Sequence, residues 1–512
     1  MLRKTCFLLL LFLTSCQVHR FKKDAPKTEF RGVWIATVAN IDWPKEGGSS
    51  WEKQKEDYRE FLRFYKKLNF NAVIVQIRTA GDALYPTELA PWSRFLTGKE
   101  GHPPISGEDP LAWMIQETHS WGFEFHAWFN PYRATVDLNT SILSETHDFH
   151  KHPDWLVPYG TKYYYNPGIP EVQQHFINII DEVVSKYDID GVHFDDYFYP
   201  YRIKDAVFED AISFNKYALK EQNLEDWRRA NIDSLVKNTF KIIKKNKPWV
   251  QFGISPFGVW KNNTNDPKGS ATKAGQTTYH DLYADPLLWM NEGWLDYLVP
   301  QLYWSLKLPV ASHKVLANWW VQNAVNTNLY IGNGAYKVQN NSDPNWDKLK
   351  ELPRQISLGR KLETIQGNVF FSAKSLIKDR EEVVDYLKSK TYPFPSFPPE
   401  SPNTDGPFEK IPQIEYIEDQ ENFLKIHYLS QNSNPLLFAN VYRIKSLKNK
   451  PNLSPTKLLT RVAVIQKNNF TLGKGLFGKK EFLALTFTDS YRRESQPIII
   501  HLNQIQQYDT KK

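Results

Sequence analysis

Two adjacent carboxylates, Asp195 and Asp196, close the run Asp190-Gly191-Val192-His193-Phe194-Asp195-Asp196 and stand directly before the aromatic stretch Tyr197-Phe198-Tyr199-Pro200-Tyr201. Carboxyl groups are the reagents of glycoside hydrolysis: one protonates the leaving oxygen, and a partner acts as nucleophile or as base toward water. Side chains alternate along a strand, so Val192 and Phe194 take one face while His193 and Asp195 take the other. With the apolar pair turned toward covering helices, Asp195 points inward as nucleophile or base. Asp196 falls where the strand opens into a loop, suited to orienting that loop or binding substrate. Rings at 197–201 are costly to display without a partner, which marks Tyr197 as a substrate contact.

A second catalytic carboxylate is required, and the chain offers Asp281, then Glu124, then Asp82. Asp281 lies in Tyr279-His280-Asp281-Leu282-Tyr283, Glu124 enters a strand in phase with His126 and Trp128, and Asp82 follows Arg78-Thr79-Ala80-Gly81. Loop aspartates are more often turn formers than acids. Other inward positions suit sugar recognition: Gln76 and Arg78 on one strand, His126, Trp128 and Asn130 on another, Gln301 and Tyr303 on a third, with His193 beside Asp195. Amide, imidazole and guanidinium groups give directional hydrogen bonds to hydroxyls, and Trp43, Trp128, Trp260 and Trp304 offer flat faces for ring stacking. His126, His193, Asp195 and His280 together admit a metal-dependent hydrolase as an alternative, but Gly32-Val33-Trp34-Ile35-Ala36 brings no ligand from the first strand. We expect no metal and no cofactor.

These residues need a scaffold that brings strand ends together. Apolar strand-like runs recur at 30–38, 72–78, 123–129, 191–195, 250–255, 297–303, 329–332 and 368–372, with amphipathic segments between them. The clearest is 171–187, where Val172, Phe176, Ile179, Ile180 and Val183 recur at helical spacing behind Pro170. Regular strand–helix alternation predicts a parallel sheet, and eight repeats over about 350 residues predict an α/β (β/α)8 TIM barrel over 29–390. No Gly-rich phosphate loop follows the first strand, which argues against a nucleotide-binding open sheet. Long segments follow the early strands and short ones precede them, as a catalytic face over a tight bottom requires. Residues 391–412 carry a proline-rich linker, and 413–512 hold short alternating strands at 414–417, 423–429, 437–444, 459–465, 482–487 and 498–502, predicting a small all-β sandwich similar to fibronectin type III.

The first residues read as an address. Arg3 and Lys4 precede an apolar run from Phe7 to Leu13, too short to span a bilayer, and Leu13-Thr14-Ser15-Cys16 resembles a bacterial lipobox. We expect a signal peptide over 1–15, lipidation of Cys16, a tether over 16–28 and a lipid-anchored place in the cell envelope. Gln17 after that cysteine fits the outer membrane. The second cysteine, Cys6, would leave with the signal, so cysteine chemistry is excluded. A formal charge of +7 over 512 residues, with no basic run, excludes nucleic acid as the expected partner.

Phe30-Arg31-Gly32-Val33-Trp34, Asn40-Ile41-Asp42-Trp43-Pro44, 125–133 (FHAWFNPYR), 191–197 (GVHFDDY), Ser255-Pro256-Phe257-Gly258-Val259-Trp260 and Pro300-Gln301-Leu302-Tyr303-Trp304 together resemble the glycosyl hydrolase-like family 10. The resemblance spans about 29–390 and follows most barrel strands in order. It implies a TIM-barrel glycosidase, bacterial and exported, acting on a cell-wall glycan of the peptidoglycan type. A lipoprotein of this shape that binds glycan without cleaving it is the alternative.

Overall fold

The computed structural model describes residues 26–502 apart from 379, 403, 405, 445–450, 466 and 479–481; the expected signal segment and Cys16 lie outside the described residues. Eight parallel strands close into a barrel: β1 (Phe30–Ile35), β2 (Ala72–Arg78), β3 (Glu124–Phe129), β4 (Gly191–Phe194), β5 (Gln251–Ile254), β6 (Tyr297–Leu298), β7 (Asn328–Asn333) and β8 (Ile365–Phe370). Each pairs with its neighbours in chain order, and β8 returns to β1 through Phe30–Gly367 to Val33–Phe370. The TIM barrel expected from the strand–helix alternation is therefore present. Its main helices are α1 (Trp51–Lys67), α2 (Pro110–Ser120), α3 (Pro170–Lys186), α4 (Leu224–Asn246), α5 (Pro286–Asn291), α6 (His313–Asn323), α7 (Glu351–Lys361) and α8 (Glu381–Tyr386).

Local chemistry sets these boundaries. Proline opens α2, α3 and α5, where its missing N–H costs nothing, and Asp109 caps α2 by accepting from Leu111 and Ala112 N–H at 3.0 and 3.1 Å. The apolar stripe of α3 (Val172, Phe176, Ile179, Ile180, Val183 and Val184) is buried as its spacing requires. At the bottom, Asn71, Asp190 and Asp296, each one residue before an even-numbered strand, accept the N–H of Arg31, Phe125 and Phe252 on the preceding strand at 2.9, 2.7 and 2.7 Å. Each such side chain locks the register of one strand pair.

The barrel interior is aromatic rather than aliphatic. Phe30 stacks on Tyr330 with centroids 4.3 Å apart, and Phe30, Trp34, Trp128, Tyr297 and Tyr330 form one buried cluster. Such rings fit because glycines face them: a Cβ on Gly191 would lie 2.4 Å from His126 Nδ1, and one on Gly253 would lie 2.1 Å from the Tyr297 ring. A hairpin (Leu156–Tyr159 and Lys162–Tyr165) rises from the long segment after β3 and was not expected from the sequence.

Beyond the barrel, two antiparallel sheets form a second core around Ile426, Leu485 and Phe487. Strands β9 (Gln413–Asp419), β10 (Phe423–Leu429) and β13 (Asn469–Gly473) make one sheet; β12 (Leu458–Ala463), β11 (Leu436–Ile444), β14 (Phe482–Asp489) and β15 (Ile498–His501) make the other in that order. The proline-rich segment does not hang free. Its backbone carbonyls at Tyr392, Phe394, Ser396 and Glu400 accept from Asn69, Arg31, Asn71 and Asn328, which lays it across the barrel bottom.

Candidate active site

At the C-terminal end of β4, Asp195 is 4% and Asp196 2% exposed. Asp195 points into the barrel as strand alternation requires: its Oδ2 accepts from Trp128 Nε1 at 3.3 Å and its Oδ1 from the Tyr197 N–H at 3.2 Å. Asp196 turns to the rim, where the Tyr201 hydroxyl donates to it and the Gln301 side chain faces it. Burial pushes both carboxyls above their usual range; the Asp196 charge adds to the rise of Asp195, while Tyr201, Gln301 and Arg133 only partly offset that of Asp196. Both acids therefore favour the protonated form above the ordinary carboxylate range.

Rings from five consecutive strand-to-helix loops surround this dyad. Tyr197 and Tyr201 follow β4, Phe257 follows β5, Tyr303 and Trp304 follow β6, Tyr336 follows β7 and Phe371 follows β8. They form two contacting sets. Tyr197, Tyr201, Phe257 and Trp304 meet edge-on at centroid distances of 5.5, 6.1 and 5.5 Å, and Tyr303, Tyr336 and Phe371 lie 6.0 Å from one another. Arg133 lies over Tyr197 at 4.4 Å, and its buried Nε has no hydrogen-bond partner. Such a set of rings offers faces for sugars around a buried acid pair.

The remaining expected residues separate into three groups. Gln76, Arg78, Trp128, Asn130, His193, Gln301, Tyr303, Tyr197 and Trp304 sit at or beneath the dyad. Gln76 Oε1 accepts from Thr37 and Val38 N–H at 3.1 and 3.0 Å and so holds the β1 loop, while its buried Nε2 is unpartnered. Asn130 accepts from Trp128 Nε1 at 3.2 Å, and Arg78 donates to the Asp82 carbonyl at 3.3 Å. His193 is fully buried and burial drives its protonation well below the usual imidazole range.

Asp281, Asp82 and Trp260 are held by local structure. The Asp281 carboxylate accepts from Thr277 N–H at 2.6 Å and pairs with Arg202 at 3.3 Å, joining the β4 and β5 loops. Asp82 accepts from Thr79 and Ala80 N–H at 3.1 and 3.0 Å, closing a turn. The Trp260 indole donates to Asp285 at 3.0 Å and stacks on Trp319, and Trp43, fully buried, donates to the Gln54 carbonyl.

Glu124 and His126 lie at the other end. Glu124 is the first residue of β3, and its Oε1 accepts from Arg492 Nε at 3.1 Å, a guanidinium delivered by the C-terminal sandwich. Burial opposes its ionisation, but Arg492 and His126 hold it below the usual carboxylate range. His280 stands apart from His126 and His193, and among the described residues no group of three His, Cys, Asp or Glu side chains is placed to hold a metal. Arg133, Tyr201, Phe257, Tyr336 and Phe371 were not among the expected contacts. Arg133 and Phe257 stand inside the motifs quoted above; Tyr336 and Phe371 carry no comparable signal.

The Glycosyl hydrolase-like 10 family model matches residues 29–348, which reaches from β1 past β7. The chain belongs to the glycosyl hydrolase-like 10 family. Glycosyl hydrolase YngK of Bacillus subtilis (strain 168) is 44% identical over 502 residues, covering 95% of this chain and 97% of the relative. Glycosyl hydrolase DigH of Escherichia coli (strain K12) is 38% identical over 384 residues, covering 70% of this chain and 87% of the relative. Among solved structures, the PgaB (BpsB) glycoside hydrolase domain from Bordetella bronchiseptica superposes with a TM-score of 0.46 at 12% identity, over 71% of this chain and 99% of that one. Membership of the glycosyl hydrolase-like 10 family makes this protein a glycoside hydrolase acting on a carbohydrate.

Proposed function

We propose that the protein cleaves glycosidic bonds in a bacterial cell-wall glycan of the peptidoglycan type, with Asp195 and Asp196 as its acid–base unit. The carrying observation is the buried, electrostatically coupled dyad beneath rings from five loops. Of two acids both raised by burial, the more strongly raised can protonate the leaving oxygen while the other acts as base or nucleophile. Two sets of rings side by side suit a chain of sugars better than a single one, which supports a polymer as substrate.

The protein works in this reading from the envelope, acylated on Cys16 and held there by the tether over 16–28. Among the described residues no helix is long and apolar enough to cross a membrane. The C-terminal domain is read as fibronectin type III-like, supported by three strands packed on four with its fourth strand paired to its third.

The test is incubation of the mature protein with cell-wall glycan, with and without stem peptides, and separation of products by mass. New sugar ends that Asp195→Asn fails to produce are the expected result. Binding without cleavage would replace this reading with a non-catalytic glycan-binding role. For the anchor, Cys16→Ala should leave the membrane fraction, and unchanged fractionation would count against lipidation.

A further inference from the structure

A chain of buried polar contacts runs along the barrel axis from the C-terminal sandwich to the dyad. Arg492 Nε donates to Glu124 Oε1 at 3.1 Å; Glu124 Oε2 lies 3.3 Å from His126 Nε2; His126 Nδ1 lies 2.9 Å from the Tyr297 hydroxyl; and that hydroxyl lies 3.1 Å from His193 Nδ1. His193 Nε2 then meets Trp34 Nε1 at 3.1 Å and Ser255 Oγ at 3.0 Å. The Ser255 carbonyl accepts from Gln301 Nε2 at 2.8 Å, and Gln301 faces Asp196. Glu124, His126, His193 and Tyr297 are all 0% exposed, so bulk solvent does not reach this path.

Its protons can be placed by elimination. An indole N–H only donates, so His193 Nε2 accepts from Trp34 and the His193 proton sits on Nδ1. That proton goes to the Tyr297 oxygen, which leaves the Tyr297 O–H to donate to His126 Nδ1. His126 must then carry its proton on Nε2 and donate to Glu124, which Arg492 keeps ionised and therefore an acceptor. Trp34 at one end and Arg492 at the other demand the same polarity. With Trp34 filling the Nε2 lone pair, the Ser255 hydroxyl beside it donates to the Phe194 carbonyl at 3.4 Å.

We propose that Arg492 is a positioning residue for hydrolysis: from the sandwich it fixes the polarity of this relay and so seats His193 against Ser255, the residue whose backbone carbonyl holds Gln301 beside the Asp196 carboxylate. The sandwich is then part of the catalytic unit rather than an appendage. The kinetic side of this inference rests on the hydrolase reading of the dyad; the placement of protons does not.

The experiment has two arms on the full chain. Imidazole ¹⁵N spectra of the wild type should report His193 as the Nδ1–H tautomer and His126 as the Nε2–H tautomer, and either ring in the other form overturns the relay. In kinetics on cell-wall glycan, Tyr297→Phe, which keeps the ring and removes the link, should lower kcat on the order of tenfold while KM stays within about twofold. Arg492→Met should do the same, and Glu124→Gln/Arg492→Met should regain most of the loss, because a Gln carbonyl still accepts from His126, the Arg492–Glu124 pair is removed together, and Asp190 remains as counter-charge for Arg461. Wild-type kcat in Tyr297→Phe, or a folded double variant no better than Arg492→Met, would sink the proposal. Absence of cleavage by the wild type would refute the hydrolase reading alone, with the spectra still deciding the relay.

Discussion

The mouth and the floor of this barrel each bury carboxylates, and they treat them in opposite ways. At the mouth, Asp195 and Asp196 share one nearby cation, Arg133, and burial wins: both are driven toward the protonated form. At the floor, Glu124 meets Arg492, and the guanidinium overrides an equally deep burial. A second sandwich arginine, Arg461, lies over Phe438 at 3.6 Å, and burial lowers it to about 10 despite the nearby Glu124 and Asp190. Depth alone therefore does not decide which acid keeps its proton; the supply of counter-charge does. An under-compensated pair is poised for proton transfer, while a compensated one serves as a rivet between domains.

The contrast breaks most severely at the dyad. Asp195→Asn and Asp196→Asn should each reduce kcat by about 10²–10⁴-fold with the fold intact, measured by product release from glycan. Near-normal turnover in both would move the chemistry elsewhere. Next in size is Glu124→Gln, which strands Arg492 as a buried unpaired charge and should cost about 3–5 kcal/mol in denaturant unfolding. A loss below about 1 kcal/mol would mean that the floor ion pair is no rivet.

The pH dependence of stability should carry both signs at once. A carboxyl raised on folding binds a proton that the unfolded chain releases, so the dyad's contribution is present below the unfolded carboxylate range and is lost as pH rises through its raised folded value. Glu124, lowered on folding, contributes above the unfolded range and loses that contribution as pH falls through its folded value. Asp195→Asn should thus gain Tm relative to wild type as pH climbs from about 5 to about 8, and Glu124→Gln should show its largest deficit at neutral pH. Parallel Tm curves for wild type and Asp195→Asn would remove the raised dyad. The smallest effect belongs to the rings: Trp304→Ala or Tyr336→Ala should weaken binding of long glycan chains by about tenfold, read as KM or Kd.

Much of the scaffold is legible in the sequence because burial on both faces of a parallel strand writes a dense apolar run. Residues 72–78 match β2 from end to end, and 191–195 overrun β4 by one residue. The run 297–303 is where that signal misleads: pairing as a strand stops at Leu298, two residues before Pro300, and the chain continues only through isolated bridges at Gln301. β8 begins at Ile365, three residues before the expected start, because Gln366 and Gly367 dilute the apolar pattern. In the sandwich, β13 escapes notice since Asn469-Phe470-Thr471-Leu472-Gly473 holds only two apolar residues. The site was half legible. Alternation correctly turns Asp195 inward and Asp196 to the rim, yet Glu124 shares its phase with Trp128, and period two says nothing about depth along the barrel axis. Its true partner lies 368 residues away in a different domain, a pairing that no local pattern encodes.

The entry point of the chain sets a final constraint. Thr28 bridges Phe397 and Lys27 pairs with Glu494 at 2.5 Å, so the leading segment joins the molecule beside the sandwich, on the side opposite the rings. Were Cys16 to carry the proposed acyl group, the chain from there to Pro26 could reach at most roughly 35 Å. If the proposed anchor holds, the enzyme would graze outward from its base: polymer strands within that short radius would be reachable and more distant ones would not. Lengthening that stretch should enlarge the grazed layer without changing turnover on soluble fragments.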